Sequence, residues 1–319
     1  MPEPITDALF EQYYSEFSNW GRWGADDLRG TLNFIDAEKI RQAAGCVRQG
    51  KAFSLQYPLD STGPQTGAFG RVNPIHQMVA TGPDHLAKKQ AYSACKFEWG
   101  FADDSLFLFL QGGSQWDSMA HIFRDGKMYN GFGADRVTSR GAEVGGVENF
   151  PTMVTRGVLI DVPRSLGLDH LEPGFAILPE HLDGALAKQG VQIERGDIAI
   201  IRTGDMGARK TLPGWGGYSA GDAPGLSLLT APWLYEKEIA AVATDTWGVE
   251  VRPNEIADSF QPLHLVMIPS MGLCVGEIWQ LDELADDCAA DGQYDFMFVG
   301  PPLLIPGAVG SPVNPQAIK

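Results

Sequence analysis

Eleven residues of this chain, Gln111-Gly-Gly-Ser-Gln-Trp-Asp-Ser-Met-Ala-His121, gather two carboxamides, a carboxylate and an imidazole. An apolar run, Ser105-Leu-Phe-Leu-Phe-Leu110, precedes them between Asp103-Asp104 and Gly112-Gly113. Its shortness, aromatic content and flanking glycines predict a buried strand feeding a glycine turn. Polar groups collected at the end of a buried strand cost free energy unless they bind something. Asp117 and His121 are four apart, and Gln115 lies two before Asp117, so in extended backbone Gln115 and Asp117 face one way. Two readings follow: a structural Asp–His hydrogen bond, or convergent oxygen and nitrogen donors of the kind a cation takes.

A second constellation is Pro262-Leu-His264 followed by an apolar stretch that ends at Glu277. An ionised glutamate is seldom buried unless it is paired or metal-bound. Glu277 is therefore either the partner of Arg202 or Arg252, or part of a site with His264. The remaining histidines carry less. His170 and His181 flank a Leu-Glu-Pro-Gly surface segment, while His76 and His85 sit in a loop-rich stretch from which either could reach a pocket. Familiar catalytic signatures are absent. Gly112-Gly-Ser-Gln-Trp116 breaks the nucleophile-elbow pattern after its serine, and no HExxH occurs. Gly204-Asp-Met-Gly-Ala-Arg-Lys-Thr211 lacks the glycine before lysine of a phosphate loop, and Gly131-Phe-Gly-Ala-Asp-Arg136 lacks the third glycine of a dinucleotide loop.

The elements that must hold these groups read as a mixture of strands and short helices. Residues 1–24 hold Leu9, Phe10, Tyr13, Tyr14, Phe17, Trp20 and Trp23. Their spacing predicts a helix that either docks on the body or forms an aromatic arm over a substrate site or a neighbouring subunit. Asp36 caps a helix ending near Gly50, and Pro179 to Gly190 is a second helix. Buried strands are predicted at 156–162, 198–203 and 239–244, helical starts at Thr230 and Pro262, extended chain at 272–277, and a closing strand at 296–299. Residues 60–104 read as loop-heavy. The pattern points to one α/β (α+β) domain, residues 25–319, behind the N-terminal arm.

The 319 residues, 44% hydrophobic, are ample for a sizeable core. A formal charge of −16 argues against nucleic acid and anionic membrane as partners, though not against a small anionic substrate. The four cysteines are scattered without a CxxC pair, no signal peptide is visible, and no apolar stretch reaches the ~20 residues of a membrane span. A soluble cytoplasmic protein is the expectation.

Taken together, these segments resemble the cyclase family of metal-dependent hydrolases, which includes kynurenine formamidase and isatin hydrolase. The family signature is H-x-G-T-H-x-D-x-P-x-H, followed far downstream by a histidine and then Glu or Gln. Residues 111–121 fall on it, with His264 and Glu277 downstream. Further likeness lies in Trp23 to Asn33, Arg156 to Asp161, Gly196 to Gly204 and Val242 to Thr246. The resemblance implies a swivelling β/β/α-type fold of mixed sheets with flanking helices, dimers or tetramers, and a Mn²⁺ or Zn²⁺ site. Carried over by position, Asp117, His264 and Glu277 are metal ligands, Glu277 also relays protons, and His121 is the general base or acid. Both motif histidines before Asp117 are glutamines here, and a carboxamide oxygen is a weaker ligand than imidazole. One divalent ion is therefore expected, held by Asp117, His264, Glu277 and Gln115. Gln111 and Ser114 are expected behind it, and Trp116 with the N-terminal aromatics as an apolar lid over a flat ring. The implied reaction is hydrolysis of a small lactone, cyclic amide or N-formyl amide. The rival is a homologue that has lost its metal and acts as a small-molecule binding protein, lyase or isomerase.

Overall fold

The computed structural model describes residues 5–319. Its centre is a nine-stranded mixed sheet. In chain order its strands are β1 Ala52–Ser54, β2 Gln115–Asp117, β3 Val154–Asp161, β4 Ile198–Arg202, β5 Ala241–Thr244, β6 Cys274–Glu277, β7 Asp295–Val299, β8 Gly310–Pro312 and β9 Gln316–Ile318. In space the order is β1-β9-β7-β3-β4-β5-β6-β2-β8. The run β3-β4-β5-β6 is parallel, and β2 joins β6 antiparallel. The parallel strands are buried along almost their whole length and apolar at their centres, because both faces are covered.

Alternate residues feed two cores. Val158, Ile160, Ile201, Val242 and Val275 pack beneath helical Leu182, Leu186, Leu263 and Met267. On the other face Leu159, Ile198, Ile200, Ala243 and Cys274 meet Trp116, Trp279 and Phe298. Helix Ala37–Gly45 starts where Asp36 accepts the Lys39 N–H at 2.8 Å, and it ends at Gly45, five residues before the glycine expected. Helix Pro179–Gln189 closes on Gly190 in the left-handed conformation, as its sequence predicts. Strand β7 does not close the sheet, since β9 and β1 extend it further.

The N-terminal aromatics are docked on the body. Thr6 caps helix Asp7–Glu16, and Leu9, Tyr13 and Phe17 enter the first core. Asn19 and Trp20 donate side-chain N–H groups to the carbonyls of Met271 and Pro269, at 2.9 and 2.7 Å. The described part of the arm thus braces the turn that follows His264 and does not line the cavity described below; the first four residues lie outside the described part.

One expectation is reversed. The apolar run after Asp103 is not a buried strand: Asp103–Phe107 pairs with Ile75–Ala80 in a separate two-stranded ribbon whose residues are exposed almost throughout. An apolar run records a tendency to be covered, and burial depends on a partner that these residues lack within the chain. Ile75, Met78, Val79, Leu86, Tyr92, Phe97, Trp99, Leu106 and Phe107 all stand open to solvent.

Candidate active site

The antiparallel register of β2 against β6 places Gln115 opposite Glu277 and Asp117 opposite Val275. Residues opposite each other share a face, as do residues two apart on one strand. Gln115, Asp117 and Glu277 therefore project together. The Gln115 amide donates to Glu277 Oε2 at 2.8 Å and to Asp117 Oδ1 at 3.2 Å. Trp116 points the other way, into the core against Trp279, and donates its indole N–H to the Gly300 carbonyl. Gly276 makes that packing possible, because a Cβ there would lie 2.8 Å from atoms of Ala243, Trp116 and Trp279 alike.

His264 comes from the short helix Pro262–Leu265, which runs on into a widened π-type turn, Val266–Met271, containing Pro269. Glu250 receives this helix. Its carboxylate accepts the backbone N–H groups of Leu263 and His264, at 3.1 and 2.9 Å, which have no partner inside the helix. The same carboxylate sits 2.6 Å from Nδ1 of His264, while Nε2 faces Glu277 Oε1 at 3.1 Å. Burial works against a charged ring here, but the two carboxylates outweigh it and push the imidazole up to about 10. Glu277 thus pairs with His264 and Gln115. Arg202 turns instead to Asp161 and Asp282, and Arg252 to Asn254.

His121 approaches from the turn after β2, its Nε2 3.8 Å from Asp117 Oδ1 and its side chain one-fifth exposed. Burial, partly opposed by Asp117, lowers the His121 pKa, so the ring is neutral near pH 7. Burial also raises Asp117, opposed by His121 and reinforced by Glu277, to about 6. Above these groups opens a cavity of about 170 Å³, lined by Asp117, His121, His264 and Glu277 below and by Phe69, Arg71, Ile122, Trp247, Phe260 and Gln261 around the mouth. A larger recess of about 510 Å³ elsewhere is lined by Arg156 and by Glu194 and Asp295, each of which pairs with Arg156, and it holds none of these groups.

Backbone strain collects here. Phe69, Val249, Gln261 and Ile278 adopt positive φ of 55°, 53°, 47° and 61°. For β-branched Val249 and Ile278 this conformation is a true outlier, costing about 1–3 kcal/mol each. Val249 immediately precedes Glu250 and Ile278 immediately follows Glu277, so the strain lies beside the two carboxylates that flank His264.

Asp117, His264 and Glu277 offer ligand atoms that all lie within 4.8 Å of one another. Two carboxylate oxygens and an imidazole nitrogen suit a divalent ion such as Zn²⁺ or Mn²⁺. Glu250 on Nδ1 is the outer partner that commonly fixes a ligating histidine with Nε2 turned to the metal. The donor set fits, with a cation taking the place of the proton between His264 and Glu277. Gln115 faces the triad with its N–H group, and its carbonyl oxygen is buried without a partner. The Gln111 side-chain amide lies against Gly310, the residue opposite Asp117 on β8, and its N–H group is buried without a partner. Ser114 donates to the Ile278 carbonyl at 2.5 Å and accepts the Tyr57 N–H, tying two loops together. His76 and His85 pair with Asp104 and Glu98 and do not reach the cavity.

Glu250, Arg71, Phe69, Trp247 and Phe260 escape a reading by motif. Glu250 carried the same signal as Glu277, a charge within an apolar stretch (Trp-Gly-Val-Glu-Val); the others carried none.

A mixed α/β sheet with a histidine held between carboxylates at the end of its parallel strands defines the class. Residues 53–251 match the family described as "Putative cyclase", and the chain belongs to that family. A solved structure described as a novel cyclase is 39% identical, with TM-score 0.89, covering 96% of this chain and 99% of its own. Isatin hydrolase A from Labrenzia aggregata, bound to benzyl benzoate, shares the fold at 20% identity and TM-score 0.56, covering 86% and 94%. A predicted metal-dependent hydrolase from Bacillus stearothermophilus does so at 14% and 0.51, covering 85% and 98%. No curated protein sequence matches the chain. Among the described residues no helix is long and apolar enough to cross a membrane.

Proposed function

We propose that this protein is a metal-dependent hydrolase that opens a small lactone, cyclic amide or N-formyl amide. The observation that carries the reading is the convergence of Asp117, His264 and Glu277 beside His121 on the floor of one small cavity. The names of the structural relatives, isatin hydrolase and a metal-dependent hydrolase, support it.

Asp117, His264 and Glu277 would hold one Mn²⁺ or Zn²⁺. When bound, such an ion polarises a substrate carbonyl and makes a nearby water more acidic. Glu250 keeps His264 in one orientation by accepting from Nδ1. Gln115 orients the Glu277 and Asp117 carboxylates through its N–H group. His121, neutral near pH 7 because burial lowers its pKa, takes a proton from the attacking water and returns it to the leaving nitrogen or oxygen. Glu277, in contact with His264, passes protons between the floor and the solvent side. In this reading residues 25–319 form one hydrolase domain, with the 1–24 segment laid against it.

A second reading has its own support. With Gln115 donating to both carboxylates and His264 between Glu250 and Glu277, the centre is largely hydrogen-bonded without a cation. That favours a metal-free binding protein, lyase or isomerase on the same scaffold. Metal analysis of the purified protein separates the two. About one Mn or Zn per chain, with turnover in a panel of lactones, cyclic imides and formamides, supports the hydrolase. A protein that takes up neither ion and hydrolyses no member of the panel defeats it.

The open apolar ribbon and the segment from Leu86 to Trp99 support a homo-oligomer, a dimer or tetramer, in which these side chains are covered. The four cysteines are unpaired and three are buried, which supports a reducing compartment such as the cytoplasm.

A further inference from the structure

On a chain with 40 acidic and 24 basic residues, a guanidinium without a carboxylate partner is conspicuous when it lines the candidate site. Arg71 is such a group. It lines the cavity mouth, where it donates to the backbone carbonyl of Gln111 at 3.2 Å and lies over the Phe69 ring, 5.3 Å from its centroid. Among the described residues it makes no ion pair. A guanidinium has five N–H donors in a fork that matches a carboxylate, so most of this fork is unused. Its charge reaches the floor, opposing in small part the burial that raises Asp117 and adding to the burial that lowers His121.

Phe69, Trp247 and Phe260 stand around it. Phe69 lies against Trp247 at 6.2 Å and against Phe260 at 5.8 Å between ring centroids. Phe69 and Phe260 remain more than half exposed, with Arg71 over one face of Phe69 and Arg252 over one face of Phe260, 5.0 Å from its centroid. Phe69 also holds a positive φ, a strained conformation that brings its ring to the mouth. The volume of about 170 Å³ is close to that of an apolar cavity of about 150 Å³ that binds benzene.

We infer that Arg71 recognises an anionic group on the substrate, and that the molecule this pocket takes is a single flat ring carrying a carboxylate-type anion. The ring lies among Phe69, Trp247 and Phe260 with its anion on Arg71 and its reacting carbonyl toward His121. The inference rests on this cavity being the substrate site of the proposed hydrolase, and it adds a specificity-determining residue to that reading.

The test compares two probes of the same shape, benzoate and benzamide. Both are titrated by calorimetry into wild-type, Arg71→Gln and Arg71→Lys protein, each with and without added Mn²⁺. The wild type is expected to bind benzoate about tenfold tighter than benzamide, as one charge-assisted hydrogen-bonded pair implies. Arg71→Gln is expected to bring benzoate down to the level of benzamide and to leave benzamide unchanged; Arg71→Lys keeps part of the preference. Equal affinities in the wild type, a preference that survives Arg71→Gln, or no binding of benzoate at all would overturn the inference. Because binding is read without turnover, the two proposals fail separately. Equal affinities for benzoate and benzamide in a wild-type protein that hydrolyses a lactone remove the role of Arg71 alone. A benzoate preference in a protein without metal or hydrolysis removes the hydrolase and keeps the anion site.

Discussion

The Glu250 carboxylate stands 2.6 Å from Nδ1 of His264 and also accepts that residue's backbone N–H. One side chain therefore sets both the start of the helix that carries the imidazole and the direction in which the ring presents Nε2. Replacing Glu250 by alanine removes both constraints. We expect Mn²⁺ or Zn²⁺ affinity to fall 10–100-fold, the usual loss when the outer partner of a ligating histidine is removed, a range on the order of that seen elsewhere. Competition with a chelator measures it, and an affinity equal to wild type would contradict the role given to Glu250.

His121 is close to the triad but outside it. His121→Asn should lower turnover by roughly 10²–10⁴, the contribution of a positioned proton-transfer group, while bound metal stays at the wild-type level. Turnover on the best substrate and elemental analysis are read from the same preparation. If both fall together, His121 is a ligand and the assignment of roles changes.

Gly276 lies one residue before Glu277, and the space at its Cβ position is filled by Ala243, Trp116 and Trp279. Gly276→Ala must push the tryptophan pair or β6 itself, at a cost of about 1–3 kcal/mol typical of overpacking. A lower denaturant midpoint is expected, together with weaker metal binding because β6 carries Glu277. Unaltered stability would mean that the core yields more readily than its packing suggests.

Asp205 supplies the pH prediction. Burial, opposed by Arg209, raises its carboxyl to about 6, above the model-compound value of 3.8. The folded state therefore holds this proton more tightly than the unfolded chain. The group's contribution to stability is fully present below pH 3.8 and is lost as pH rises through about 6. Asp205→Asn cannot titrate, so between pH 4 and 6, roughly the window spanned by the two values, the variant should lose less stability than wild type. Urea midpoints across that range test it, and parallel curves would show that Asp205 ionises as it does in the unfolded chain.

Phe97 and Leu86 are 81% and 79% exposed, and with seven other exposed apolar residues they fall between positions 75 and 107, more open apolar surface than scattered single residues give. Light scattering should give a mass that is a multiple of the 34.6 kDa chain. The double variant Leu86→Glu, Phe97→Glu should shift that mass toward one chain. A wild-type monomer would leave the ribbon unexplained.

Much of this molecule was legible from local patterns. Helix Pro179–Gln189 was set by its proline and glycine, helix Ala37–Gly45 by Asp36, and the parallel strands by their apolar runs, because these signals act over a few residues. The period of two in extended chain was enough to put Gln115 and Asp117 on one face, and a buried charge was enough to single out Glu277. Burial of a short apolar run was not legible. The Asp103–Phe107 strand reads like a core strand, yet its neighbour is another exposed strand, and no local pattern states which surface will cover a residue. Trp116 follows the same rule: its place next to Asp117 suggested the pocket, whereas strand alternation sent it into the opposite core. Glu250, Arg71 and Phe69 reach the site from segments far apart along the chain, so their meeting with His264 and Asp117 depends on sheet order and register. Residue types restrict the chemistry; the distances that let a carboxylate hold an imidazole, or leave a guanidinium free for an anion, arise only when the strands have paired.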